Sequence, residues 1–260
     1  MSRYFMELSY KGTRYHGWQI QPNASTVQQK LEHCMGTFLR HPVSITGAGR
    51  TDTGVHAAYY VAHFDAIDLT VSCHDLAEKL NRFLPNDIAL HRIWLVPSDA
   101  HARFSAISRT YQYRISRAKN PFTTEFSWHY HQPLDVDAMN GAAQLLLGIS
   151  DFTSFSKLHT DVETNLCNVT LAEWVQNGHQ LVFTISANRF LRNMVRALAG
   201  TLIEVGKGRM LPADVLHIAE KLDRSAAGTS LPAAGLFLTG IGYPSELGAT
   251  GGQSSWPGLT

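Results

Sequence analysis

Charge is scarce in this sequence, and cysteine scarcer. Asp, Glu, Lys and Arg together make up 17% of the 260 residues and leave a formal net charge of +1. A uniformly basic nucleic-acid-binding domain is excluded, so any RNA surface has to be a local patch. The three cysteines, Cys34, Cys73 and Cys167, stand far apart, with no Cys-x-x-Cys pair and no metal-ligand spacing. That excludes a disulfide scaffold, and reduced thiols of a cytoplasmic protein are expected. Long apolar runs are missing too: no stretch approaches the roughly 20 residues needed to span a bilayer. Met1-Ser2-Arg3-Tyr4 opens without the apolar segment of a signal peptide. The expectation is a soluble cytoplasmic protein with no membrane partner. Among the 13 histidines, His129 and His131 share a strand face by their i, i+2 spacing. No His-Glu-x-x-His or carboxylate–histidine set completes a site, so no metal is expected.

What is present is enough apolar residue, 44%, for one large domain or two of ordinary size. Arg3 to Tyr10 alternates as a strand. Val27, Leu31, Cys34/Met35 and Phe38 recur at helical spacing after Thr26. Ser44 to Gly49 reads as a strand running into a glycine-rich loop, and Val55 to Phe64 as the strand after it. Ser72 caps a helix that buries Leu76, Leu80 and Phe83, and Ile88 to Val96 is a strand. The order is β-α-β-β-α-β, the split βαβ or ferredoxin-like unit.

The second half uses similar parts. Strands are predicted at Thr110 to Ser116 and Phe126 to Gln132, then a helix from the capping Asp135 to Leu147. Asn177-Gly178 lies between two strand-like runs, Val169 to Val175 and Leu181 to Ala187, a strong hairpin signal. Helices follow at about Phe190 to Val205 and Pro212 to Leu222, then a last strand at Leu236 to Gly242. The boundary falls near Ser105. This gives an N-terminal α+β domain over 1–105, a C-terminal α+β domain over 106–247, and a disordered Gly/Ser/Thr tail over 248–260. The fold class is α+β: two ferredoxin-like, RRM-like halves whose antiparallel sheets flank a basic cleft.

The most unusual segment is Gly47-Ala48-Gly49-Arg50-Thr51-Asp52-Thr53-Gly54-Val55-His56. Its glycines allow tight or positive-φ backbone and leave room for a ligand near the main chain. Arg50, two residues from Asp52, is a partner that keeps the carboxylate ionised, which suits nucleophilic or base catalysis. Three rival readings stand beside this one. Asp-Thr in a glycine loop is also ordinary turn chemistry. Asp52-Thr53-Gly54 matches the aspartic-protease triplet, yet that chemistry needs two carboxylates sharing a proton, and there is no second Asp-Thr-Gly or Asp-Ser-Gly. The glycines fit neither phosphate-binding fingerprint.

Two acid-free stretches supply local positive charge. Between Ala100 and Thr124 stand Arg103, Arg109, Arg114, Arg117 and Lys119, interleaved with Phe104, Tyr111 and Tyr113. Cations there contact phosphates and aromatic faces stack on bases. Between Val175 and Ile203, Arg189, Arg192 and Arg196 recur at spacings that place them on one side of a helix. Such a stripe repels itself unless an anion or a carboxylate lies opposite.

These motifs, in order, resemble the TruA family of tRNA pseudouridine synthases. Tyr10-Lys11-Gly12-Thr13-Arg14-Tyr15-His16-Gly17-Trp18-Gln19 is similar to the family's opening motif, and Gly49-Arg50-Thr51-Asp52-Thr53-Gly54-Val55-His56 to its active-site loop. His101-Ala102-Arg103-Phe104-Ser105-Ala106 with Arg109-Thr110-Tyr111 resembles the stretch bearing the active-site tyrosine. Phe190-Leu191-Arg192-Asn193-Met194-Val195-Arg196 resembles the helix bearing the active-site arginine.

The resemblance implies that Asp52 is the catalytic aspartate and Arg50 the arginine before it. It implies that Tyr111 stacks on the target uracil, that Arg196 pairs with the aspartate, and that Leu236 lines the base pocket. Arg103, Arg109, Arg192, Gly54 and His56 are expected to contact the substrate. It further implies a homodimer acting on uridines 38 to 40 in the anticodon arm of tRNA. No cofactor is needed, because the reaction involves neither redox nor phosphoryl transfer. Two departures stand out: Ser150 in Gly148-Ile149-Ser150-Asp151-Phe152 replaces the family's histidine, and Cys167 replaces an arginine. The competing class is a pure RNA-binding module of RRM type, which needs no ionised aspartate in a glycine loop.

Overall fold

A computed structural model describes residues 1–67, 69–157 and 164–249. Two compact units divide the chain: Met1–Ser108 together with the residues from Leu238 onward, and Arg109–Phe237. The expected boundary near Ser105 lies three residues away from this division. The C-terminal domain expected to run on to residue 247 instead ends at Phe237. Of the expected tail, Gly248 and Ala249 are described, and Ala249 is buried; residues 250–260 lie outside the described residues.

In the first unit, β1 (Ser2–Tyr10) pairs antiparallel with both β3 (His56–Ala66) and β4 (Ile88–Val96), and β2 (Ile45–Gly47) adds to β3. The order β4-β1-β3-β2, with α1 (Val27–Leu39) and α2 (Cys73–Asn81) as crossovers, is that of the predicted split βαβ unit. β3 is buried along nearly its whole length rather than at alternate residues. That pattern marks a strand covered on both faces. Helix α1 forms where the spacing predicts it: Thr26 Oγ1 accepts the Gln29 N–H at 3.3 Å, and Val27, Leu31 and Met35 are fully buried. Ser72 caps α2 in the same way, through the Asp75 N–H. Phe83 is a correction. It falls past the end of α2 and is 59% exposed, while Leu84 turns inward in its place.

In the second unit, β5 (Ser108–Ser116), β8 (Gln180–Ala187) and β7 (Val169–Asn177) form antiparallel neighbours in that order. The strand expected at Phe126 to Gln132 shrinks to β6 (Trp128–His129), parallel to β5. Residues before it are spent in turns, with Thr123 N–H on Asn120 O and Phe126 N–H on Thr123 O. Asp135 caps α3 (Val136–Leu145) through the Ala138 N–H. The hairpin loop is Gly178-His179, one residue later than predicted, because Asn177 pairs with Gln180. Gly178 takes φ +56, which fits a primed hairpin turn.

Helix α4 runs Met194–Gly206 and α5 Asp214–Glu220, and β9 (Leu236–Gly242) has the predicted bounds. Chain order β5-α3-β7-β8-α4-β9, with α5 inserted, repeats the β-α-β-β-α-β sequence of the first half. β1, β2, β3 and β4 pair antiparallel, as do β5, β8 and β7, while β6 pairs with β5 in parallel, so the class is α+β with mainly antiparallel strands. No helix among the described residues is long and apolar enough to cross a membrane.

Candidate active site

Asp52 begins a turn. Its carbonyl accepts the Val55 N–H at 3.1 Å, and Gly54, third in the turn, has φ +79. A type II turn requires positive φ at that position, which is the physical need for a glycine there. Turn chemistry is therefore present at Asp52, and its main chain makes it. Asp52 is half-buried and Thr53 exposed, between the buried Thr51 and Val55.

The opening segment Tyr10 to Trp18 clamps this turn from below. Gly12 lies so close to the Val55 carbonyl, and Gly17 to the Thr51 carbonyl, that a Cβ at either position would collide with that oxygen. Gly17 also sits at φ +84, a conformation that L side chains rarely adopt. Around these contacts, Trp18 N–H donates to Thr51 O, Gly54 N–H to Tyr15 O, and Tyr10 shares a 2.9 Å hydrogen bond with Thr51 Oγ1. The Tyr10, Trp18 and Tyr60 rings pack together beneath, Trp18 stacked on Tyr60 at 4.2 Å. Tyr15 donates to Asp87 at 2.6 Å, and burial followed by that carboxylate pushes its phenol up, so it remains a neutral donor. The result is a carboxylate on a turn braced by the opening segment.

Two expectations within this unit meet a different geometry. Arg50 is exposed and enters no ion pair among the described residues, so the expected Arg50–Asp52 pair is not made. A spacing of two puts side chains on one side only along an unbroken strand, and here the turn starts at Asp52. His56, expected at the substrate, is 1% exposed, and its Nδ1 accepts the Gly12 N–H at 3.0 Å. Its place is that of a brace between the opening segment and β3. Arg103 is exposed, with its guanidinium over the Phe104 ring at 5.4 Å.

The second unit gathers another part of the predicted set. Tyr111 lies on β5 opposite Ile185, with Phe190 edge-on to its ring at 5.1 Å and 84°. Arg109, two residues earlier, donates to the Asn188 carbonyl at 3.0 Å. Arg196 stands in the first turn of α4 and is tied twice to Leu231: its Nε donates to Leu231 O at 2.6 Å, and its own carbonyl accepts the Leu231 N–H. Pro232 next door accepts the Tyr113 phenol at 2.8 Å. The segment Leu231 to Leu236 is thereby fixed against both β5 and α4, and Leu236 is buried at its end.

The arginine stripe is corrected. Asn193 has φ +65, so α4 starts only at Met194, and Arg189 and Arg192 precede the helix. Arg192 is exposed in that approach, where its carbonyl accepts the Lys157 N–H. Cys167 is 4% exposed, and burial drives its thiol up to about 11, so it stays a neutral apolar contact.

Sequence reasoning missed the clamp, in which Gly12, Gly17 and Tyr15 meet the Asp52 turn and His56 braces Gly12. Two glycines set between aromatics at Tyr10, Tyr15 and Trp18 were the available signal. Among the described residues no group of three or more His, Cys, Asp or Glu is arranged to hold a metal ion.

Comparison with known proteins bears on both units. A family model described as tRNA pseudouridine synthase matches residues 8–105 and 142–244. The tRNA pseudouridine synthase A of Bacteroides fragilis is 52% identical over 248 residues, covering 95% of this chain and 98% of that protein. That of Porphyromonas gingivalis is 52% identical over 251 residues, at 95% and 99% coverage. The more distant protein of Exiguobacterium sibiricum keeps 36% identity at 94% and 98% coverage. With the braced Asp52 turn inside the first matched span and the Arg196 helix inside the second, the chain belongs to the tRNA pseudouridine synthase family.

Proposed function

We propose that this protein isomerises uridine to pseudouridine in the anticodon arm of tRNA, at positions 38 to 40, with Asp52 as the reacting carboxylate. The observation that carries this is the clamped turn, which presents one half-buried carboxylate on main chain held by hydrogen bonds and close glycine contacts. The relatives' names supply the substrate class.

The reaction breaks the N1–C1′ bond, turns the uracil and rejoins it through C5. Atoms and electrons balance within the nucleoside, so neither cofactor nor ATP is required. Asp52 either attacks C1′ or removes the 2′ proton, and both routes need it ionised. The resemblance assigns Arg196 as the cation that pairs with that carboxylate, a role suited to a planar guanidinium. A uridine must leave the stack to be reached, and the Tyr111 ring is its platform. Leu236 supplies apolar wall, and Arg103, Arg109 and Arg192 supply positive charge for phosphates. The resemblance also supports a homodimer working in the cytoplasm.

The test is conversion of unmodified tRNA without added cofactor, read as nucleoside composition. Asp52→Asn should bind tRNA as the parent does and convert it at less than about a hundredth of the rate, roughly 3 kcal/mol of barrier. Residual conversion above that fraction would remove Asp52 from its role.

A further inference from the structure

Phe104 is a large apolar side chain left 76% exposed, on a segment whose main chain is unusually well held. His63, 5% exposed on β3, accepts the Ala102 N–H at its Nδ1. His101 accepts the N–H groups of both Arg103 and Phe104 at its own Nδ1, at 3.1 and 3.3 Å. Ser105 closes the turn, its Oγ accepting the His101 N–H and its N–H donating to His101 O. Arg3 donates to Ala100 O, and the Tyr243 phenol to Ala102 O. So much fixing has an entropic cost, and it leaves an aromatic ring facing solvent.

The rings form a series. Phe5 and His63 are 6.3 Å apart, His63 and His101 4.6 Å, and His101 and Phe104 4.4 Å with their planes 37° apart. It runs from a fully buried phenylalanine to an exposed one, and Arg103 flanks the outermost ring at 5.4 Å. Burial lowers the pKa of both histidines, which keeps their Nδ1 atoms available as acceptors at neutral pH. The series therefore stands preassembled before any ligand arrives.

Resting on the reading of the chain as an RNA-modifying enzyme, we propose that an unpaired base of the RNA substrate stacks on Phe104 and becomes the next ring of this series. The Phe104 site positions the RNA, while the target uracil is assigned to Tyr111. Local charge favours a nucleic acid occupant. From Ala100 to Thr124 the chain has no acidic residue, and a cation lies beside the ring, as a base with its phosphate requires. A pre-ordered ring also avoids the cost of immobilising a side chain on binding.

Phe104→Ala, Phe104→Leu and Phe104→Trp separate an aromatic face from mere apolar bulk, and an exposed position lets all three fold. Equilibrium binding of unmodified tRNA at moderate salt is the readout. Stacking predicts that Ala and Leu each weaken binding about tenfold, while Trp binds as tightly as the parent. Leu binding like the parent, or Trp falling with Ala, overturns the proposal in favour of an apolar contact. No loss in any of the three overturns it as well. The parent protein distinguishes the two levels: if it neither binds nor converts tRNA, the functional reading fails and this inference with it. If it converts tRNA while the Leu variant binds equally well, only the stacking site is lost.

Discussion

Arg196 is fastened within its own unit by a bond a lysine cannot copy. Its Nε donates to the Leu231 carbonyl at 2.6 Å, which orients the plane of the guanidinium at the head of α4. Arg196→Lys preserves charge but removes both that donor and the planar fork suited to a carboxylate. The expected result is a fall mainly in kcat, with tRNA affinity little changed, measured by single-turnover conversion beside equilibrium binding. Arg192 precedes the helix and is exposed, so Arg192→Ala should cost turnover less. A larger turnover loss from Arg192→Ala would mean that the wrong arginine has been given the role. Spacing made all three arginines look equivalent; the left-handed Asn193 between them is what separates their environments.

At the scale of elements, the opening segment and the Asp52 turn behave as one part, and glycine positions within it differ in kind. Gly17→Ala puts a side chain at φ +84 and against the Thr51 carbonyl. The backbone conformation alone costs roughly 1–2 kcal/mol and the overpacking a similar amount. Gly49 in the same loop has open space where a Cβ would go and no positive φ. Gly49→Ala should leave the denaturation midpoint nearly unchanged, while Gly17→Ala lowers it and slows conversion out of proportion to binding. Equal stability of the two variants would show that the clamp is dispensable.

The same contrast explains what was legible. Regular periodicity reports burial, so β1, α1, α2 and β9 were readable from Leu31, Leu76 and their like. A positive φ at a non-glycine, such as Asn193, has no periodic signature, and so the start of α4 was misplaced. β6 is shorter than the predicted Phe126 to Gln132 because the residues before it form turns held by Thr123 N–H on Asn120 O and Phe126 N–H on Thr123 O. At the site, Asp52 and Gly54 could be singled out as residue types. The buried role of His56 depends on a contact 44 positions away in sequence, which no local pattern encodes.

For the molecule as a whole, acid should weaken the fold before its carboxylates are protonated. His63 is 5% exposed, and burial first, then His101 and Arg3, lower its pKa to about 4, with Asp65 opposing. In the unfolded chain a histidine titrates near 6.5. Between these values the unfolded chain binds a proton that the folded chain does not, so stability falls as pH is lowered through that window. One such group contributes up to about 1.4 kcal/mol per pH unit, or about 3 kcal/mol across the whole interval. His101 and His91 are shifted in the same direction by burial and add to the slope. Glu7 opposes it near the acid end, since burial raises its carboxyl and the folded state then takes up the proton more readily. The urea midpoint should therefore hold steady above about pH 7 and drop between about 6.5 and 4. His63→Gln keeps an acceptor for the Ala102 N–H but cannot be protonated, so its midpoint should start lower and decline less steeply over the same interval. If parent and variant decline in parallel, the acid sensitivity arises elsewhere and the buried histidine is only a hydrogen-bond acceptor.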